Sequence, residues 1–354
     1  MCGHMDDCLK IGQQSRGGVL GLKIGPLAVP NRVFLAPMSG VTDAPFRRLA
    51  SSLGAGLVIS EMTASEELVR GIGEARLRAA EHGVGIHVVQ LAGCEARWMG
   101  EGAKIAEASG AQVIDINMGC PAKRVTNGYS GSALMRDLDH AVTLIKAAVS
   151  AVTVPVTLKM RLGWDERSLN APELARRAQD AGVQLVTVHG RTRCQFYTGI
   201  ADWKAIKRVK AAVSIPVVAN GDLASFEDAE RMLAESGADA IMLGRAAIGR
   251  PWLPGQIATY LAEGVRTATP SLATQRTLLL ALHEDILTHY GSAIGVRHAR
   301  KHVRAALDWA TNASGVPMAL VEPSRVGALT TDNPKQFRQH VADAYDVMEW
   351  RTAA

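Results

Sequence analysis

A chain of 354 residues with 47% hydrophobic side chains can bury a large core, enough for one α/β domain and a smaller second one. Only 5% of residues are aromatic, which suits parallel strands covered by helices, and the net charge of +5 permits an anionic partner without requiring one. Five cysteines (Cys2, Cys8, Cys94, Cys120, Cys194) with no C-x-x-C pair argue against a metal site and fit a reducing cytoplasm, and no apolar run is long enough for a membrane span.

Residues 1–19 read as a flexible leader. Leu22-Lys23-Ile24 and Leu27-Ala28-Val29, split by Gly25-Pro26, predict a small hairpin capping the bottom of a larger unit. Eight apolar runs then predict strands at 33–36, 57–60, 86–90, 113–116, 156–159, 185–188, 217–219 and 240–243. Helical patterns fill the gaps at 44–53, 96–109, 138–150, 171–181, 201–212 and 225–236, several of them ending in glycine. Such βα units point to a TIM barrel over 20–255, with a doubly wound open sheet as the alternative. From 256 to 354 the βα rhythm stops and helices are predicted at 275–290, 296–311 and 333–350.

The strand exits carry the chemistry. In order they offer Pro37-Met38, Glu61, Gln90, Asn117 to Cys120, Lys159 with Arg161, His189, Asn220-Gly221-Asp222 and Gly244-Arg245. Polar groups at one end of nearly every strand mark the face where barrel enzymes keep their active sites. In Asn117-Met118-Gly119-Cys120-Pro121, glycine and proline stop the strand and set the Cys120 thiol at its mouth. A glycine-rich segment at 126–135 follows, mobile enough to cover a ligand. Asn220-Gly221-Asp222 and Gly244-Arg245, after the last two strands, read as a phosphate cradle of bared N–H groups beside an arginine. The plainer alternatives are a turn and a helix entry. Lys159 could stabilise a ring that gains negative charge, or serve as a Schiff-base nucleophile; His189 could be a satisfied buried imidazole. In the tail, Arg297, Arg300, Lys301 and Arg304 share one helical stripe beside an apolar one, either a nucleic-acid contact or a solvated face.

Together, Ala36-Pro37-Met38-Ser39-Gly40-Val41-Thr42-Asp43, Asn117-Met118-Gly119-Cys120-Pro121, Leu158-Lys159-Met160-Arg161, Val188-His189-Gly190-Arg191-Thr192, Asn220-Gly221-Asp222 and the run from Gly244-Arg245 to Pro251-Trp252 resemble the tRNA-dihydrouridine synthases. Arg297-His298-Ala299-Arg300-Lys301-His302 is similar to a segment of the bacterial B-type members. The resemblance implies an FMN-binding TIM barrel followed by a small helical tRNA-binding domain, with NADPH as electron donor and D-loop uridines of tRNA as substrate. By it, Pro37, Met38 and Ser39 line the isoalloxazine, Gln90, Lys159 and His189 touch the flavin, and Asn220, Gly221, Asp222, Gly244 and Arg245 hold its ribityl phosphate. Asn117 and Arg161 hydrogen-bond the uracil edge, while Arg297, Arg300, Lys301 and Arg304 meet the tRNA backbone.

The same resemblance makes Cys120 the proton donor. Reduced flavin gives hydride to C6 of uracil, negative charge builds toward C5 and O4, and a proton must reach C5 from the opposite face. An ordinary thiol, with a reference pKa of about 8.5, still holds its proton at neutral pH. The rival readings are an FMN barrel acting on a free pyrimidine, a Schiff-base aldolase centred on Lys159, and an RNA-binding factor without catalysis.

Overall fold

The computed structural model describes residues 21–81 and 83–353, so the expected leader at 1–19, with Cys2 and Cys8, lies outside the described residues. Each of the eight apolar runs forms a strand: β3 (Val33–Leu35), β4 (Leu57–Val58), β6 (Val88–Ala92), β7 (Val113–Met118), β8 (Val156–Arg161), β9 (Leu185–His189), β10 (Val217–Asn220) and β11 (Ala240–Leu243). They come after a short hairpin, β1 (Lys23–Ile24) with β2 (Leu27–Ala28). The second barrel position resumes after a break as β5 (Thr63–Ala64), which pairs with β6, while β4 pairs with β3. A bridge from Ile59 to Val88 joins the two halves and closes the ring, every ladder of which is parallel. The barrel is present and the open-sheet alternative falls away.

Alternation along the strands sorts side chains into two surroundings. Ile114, Ile116 and Met118 of β7 and Leu158 and Met160 of β8 pack outward with helical residues such as Met99, Leu144 and Leu174. The opposite set points inward. Its lower layer of Phe34, Val113, Leu185, Val218 and Ala240 packs on Ile24 and Val29, so the hairpin plugs the bottom as expected. Above this apolar floor the inward positions turn polar, through Asp115 and Thr157 to Asn117, Lys159 and His189. β7 and β8 each run two residues further than expected, so Asn117 and Arg161 are paired strand residues and not loop residues.

The barrel helices are α1 (Ala44–Ser52), α2 (Ser65–Val69), α3 (Gly73–Ala79), α4 (Ala96–Ala108), α5 (Lys123–Thr126), α6 (Leu138–Ala151), α7 (Ala171–Asp180), α8 (Trp203–Ala212), α9 (Phe226–Ser236) and α10 (Leu253–Glu263). Side chains of Asp43, Asp137, Asp202 and Ser225 cap α1, α6, α8 and α9. The expected domain boundary at 255/256 falls inside α10. Leu253, Ile257 and Ala258 belong to the barrel's outer core, and the helix ends only at the left-handed Gly264.

Beyond it lie α11 (Leu272–Tyr290), α12 (Ser292–Ser314), α13 (Met318–Thr330) and α14 (Pro334–Ala353). Their common core includes Leu282, Ile286, Leu307, Val341 and Tyr345, and it is continuous with Phe46 and Ala50 of α1. Arg48 of α1 clamps Asp285 of α11 through two bonds of 3.0 and 2.6 Å. Pro323 sits inside α13, where proline normally breaks a helix; burial of Val321 and Ala328 in that core holds it. A cavity of about 20 Å³ between α1, α11 and α12 touches Gln275, whose Oε1 lacks a protein partner, and has room for one water.

Candidate active site at the mouth of the barrel

A buried polar chain underlies the site. Thr157 Oγ1 donates to Asp115 Oδ1 at 2.6 Å, Gln90 Nε2 to Asp115 Oδ2 at 2.7 Å, and Asn117 Nδ2 to Gln90 Oε1 at 2.8 Å. Burial raises the pKa of Asp115, opposed by the bonds from Gln90 and Thr157. The other end of Asn117 is also used: its Oδ1 accepts from the backbone N–H groups of Gly119 (3.1 Å) and Cys120 (2.9 Å). Both ends of this side chain thus bond to protein, and Asn117 holds the turn that presents Cys120. The thiol is free and half-buried, within electrostatic reach of Lys159 and Arg161.

Lys159 Nζ donates to Asn220 Oδ1 at 3.1 Å, and Asn220 Nδ2 donates to the carbonyl of Met242 at 2.9 Å. Burial, reinforced by the Arg161 cation, lowers the Lys159 pKa from 10.5 to about 8. His189 is pushed well below its usual value by burial and then by the cations around it, so its ring is neutral. Arginine can only donate, so the 3.4 Å contact from Arg191 Nη1 makes His189 Nε2 an acceptor and assigns the ring proton to Nδ1.

Arg161 is fully buried and is anchored more firmly than expected. Its Nε donates to the carbonyl of Gly119 (2.8 Å) and its Nη1 to those of Thr192 (2.9 Å) and Phe196 (2.8 Å). These bonds bind the Cys120 turn to the loop after β9, and that role precedes any bond to a substrate. Burial lowers the Arg161 pKa to about 10, so it stays a cation.

The cradle at the last two strands fits an anion. The backbone N–H groups of Gly221, Asp222 and Gly244 donate to no protein acceptor among the described residues, and Arg245 stands beside them. A Cβ on Gly221 would lie 2.7 Å from Ala201 Cβ and 2.9 Å from His189 Cδ2, so only glycine fits. Asp222 does not offer its side chain. The carboxylate takes both Nη atoms of buried Arg191, one Nη of Arg245 (3.1 Å) and the N–H of Ala201 (2.8 Å), leaving only its own N–H for a phosphate. On the facing side, Met38 Sδ approaches Gly244, and Glu61 Oε1 accepts the N–H of Gly40 and steadies the exposed Ser39-Gly40 turn after Pro37.

Two residues escaped the sequence. Arg191 organises His189 and Asp222, and Tyr197 lays its ring 5.5 Å from the Arg161 guanidinium and 5.0 Å from that of Arg245. The first lies within the run from Val188 to Thr192, but nothing local marks its side chain as buried. The second shows in sequence only as one of two adjacent aromatics, Phe196-Tyr197, in a polar loop.

The tail stripe on α12 divides. Arg297 and Arg304 are exposed and have no acidic partner among the described residues. Arg300 pairs with Asp332 at 3.0 Å. Lys301 is turned toward the barrel, where Asp43 and Glu61 attract it, and burial lowers its pKa. Burial in turn raises Asp43 to about 6, its Oδ2 having no hydrogen-bond partner.

A family model described as Dihydrouridine synthase (Dus) matches residues 34–321. A probable tRNA-dihydrouridine synthase of Rhizobium leguminosarum bv. phaseoli is 51% identical over 330 residues, covering 93% of this chain and 100% of that protein. The tRNA-dihydrouridine synthase B of Xanthomonas campestris pv. campestris is 50% identical over 283 residues, 80% of this chain and 85% of its own. Among solved structures, a 2-naphthoyl-CoA reductase superposes with TM-score 0.53 at 14% identity, over 69% of this chain and 52% of that one. A 6-hydroxypseudooxynicotine amine oxidase from Pseudomonas geniculata N1 gives 0.51 at 18%, over 74% and 52%. At such identities the structural likeness speaks for the barrel alone.

Proposed function

The chain belongs to the dihydrouridine synthase family, and on that premise we propose that it reduces the C5–C6 double bond of D-loop uridines in tRNA, using FMN re-reduced by NADPH in the cytoplasm. One observation carries the reading: the Cys120 thiol, the Lys159 and Arg161 cations and the anion cradle of Gly221, Asp222 and Gly244 all open on one barrel mouth.

The cradle's free N–H groups and Arg245 would hold the ribityl phosphate, with Lys159, His189 and the Pro37-Met38-Ser39 turn around the ring system and Gln90 beneath it. When bound, reduced flavin supplies the hydride that goes to C6 of the uracil. Cys120 then gives its proton to C5 from the other face. Lys159 and Arg161 offset negative charge as it develops, in a site where few waters screen it. Asn117 and Arg161 fix the Cys120 turn, so the thiol meets its target without first ordering a loop. A uridine inside folded RNA must be turned out to enter this mouth. Arg297 and Arg304 would take backbone phosphates on α12, positioning the tRNA without reading its sequence.

The test is direct. tRNA from cells lacking this protein, incubated with the purified enzyme and NADPH, should gain two hydrogens at a D-loop uridine by mass spectrometry. Purified protein free of flavin absorbance, with tRNA left unchanged, would overturn the proposal.

A further inference from the structure

We infer that the excursion between Cys120 and Ser132 is a single-stranded RNA contact, in which Tyr129 stacks on the unpaired nucleotide beside the one delivered to Cys120, and Lys123 and Arg124 hold its phosphates. The inference rests on the tRNA-dihydrouridine synthase reading and adds the surface that receives the strand.

The excursion is closed on itself. Ser132 donates both its N–H (3.1 Å) and its Oγ–H (2.8 Å) to the carbonyl of Cys120, and a Cβ on Gly131 would lie 2.9 Å from that oxygen. Only glycine lets the returning chain press so near the cysteine. It is also braced from outside. Arg193 sits 4.6 Å over the rings of both Trp164 and Phe196 and reaches Thr126 Oγ1 at 3.4 Å, linking the loops after β7, β8 and β9.

On this fixed platform Tyr129 adopts φ +54°, a left-handed conformation that a bulky residue rarely takes. Its N–H is bonded to the carbonyl of Thr126 at 3.1 Å, yet the residue is 71% exposed and its side chain touches no other ring or hydrogen-bond partner among the described residues. Packing therefore does not explain the strain, and folding alone would prefer glycine here. Lys123 and Arg124, on α5 of the same excursion, are exposed and have no acidic partner among the described residues. Arg136, just past its end, is exposed too and lies 5.0 Å over Trp164.

A solvent-facing aromatic flanked by unpaired cations matches the chemistry of unpaired RNA: a π-face for any base and charges for the backbone. The position also suits the reaction. Turning one base out of the strand uncovers the face of its neighbour, and a ring two residues from Gly131, which packs on Cys120, stands where that face is laid bare.

The full-length holoenzyme and unmodified tRNA test this. Tyr129→Ala should raise the KM for tRNA about tenfold while moving kcat far less. Tyr129→Phe should keep wild-type KM, since the ring and not the hydroxyl makes the contact. Tyr129→Gly separates structure from binding: it should melt no lower than wild type, because glycine accepts this φ, yet show the same rise in KM. Lys123→Ala with Arg124→Ala should flatten the slope of log affinity against log salt by about one to two. An unchanged KM in both Tyr129→Ala and Tyr129→Gly would overturn the inference while leaving the synthase reading intact. Wild-type enzyme that forms no dihydrouridine at all would remove the reading beneath it.

Discussion

Lys159 and Asn220 meet across 3.1 Å, so β8 and β10 are tied together over the top of the β9 strand that separates them. Asn220 passes the link on to the Met242 carbonyl of β11. One lysine thus fixes three strand ends, and it does so as a largely buried cation.

That burial has a pH signature. Lys159 titrates near 8 in the fold against 10.5 unfolded, so between those values the native state binds fewer protons. Its contribution to stability therefore rises as pH climbs through this window, and at neutral pH the full desolvation cost is present. Flavin-free Lys159→Met should be more stable than wild type at neutral pH by about 2 kcal/mol, after allowing for the bond lost to Asn220. The gain should vanish above about pH 10.5. Urea midpoints at the two pH values check this; a variant weaker at neutral pH would mean that the bond outweighs desolvation.

Gly221→Ala attacks the cradle. The new Cβ meets Ala201 and His189 at 2.7 and 2.9 Å, at a φ of +124°. Overpacking and backbone strain together should cost about 3 kcal/mol, and bound flavin should be lost on desalting. Gly237→Ala is the control: its φ is +62° but nothing lies within 4 Å, so it should cost about 1 kcal/mol and keep its chromophore.

The α12 stripe predicts a split. Arg297→Glu with Arg304→Glu should weaken tRNA binding and flatten its salt dependence, since these two cations are unpaired among the described residues. Lys301→Met should instead leave tRNA binding nearly unchanged, because this half-buried cation is turned inward to face Asp43 and Glu61. Filter binding of both variants across a salt series separates the two. Equal losses of binding would restore the stripe to a single surface.

The barrel was legible because each strand carries a short, mainly apolar run buried on both faces, as at 113–116 and 185–188, and needs no partner to be recognised. Helix α13 was not, since Pro323 argues locally against a helix that only distant packing sustains. At the site, residue types at strand exits put these side chains at one end of the barrel, but hydrogen bonds between distant strands set their surroundings. Asn117 bonds Gln90, 27 positions away, and Asp222 bonds Arg191, 31 positions away. Lys301 and Arg304 look alike along a helical stripe; only the docking of α12 on the barrel turns one inward and leaves the other in water.

In the proposed mechanism the Cys120 thiol donates the proton, and Cys120→Ala tests that step in one assay. Pre-reduced flavoenzyme mixed with excess unmodified tRNA should form dihydrouridine at least about a hundredfold more slowly in the variant than in wild type, with flavin content and reduction by NADPH unchanged. Formation of dihydrouridine at the wild-type rate without this thiol would contradict it.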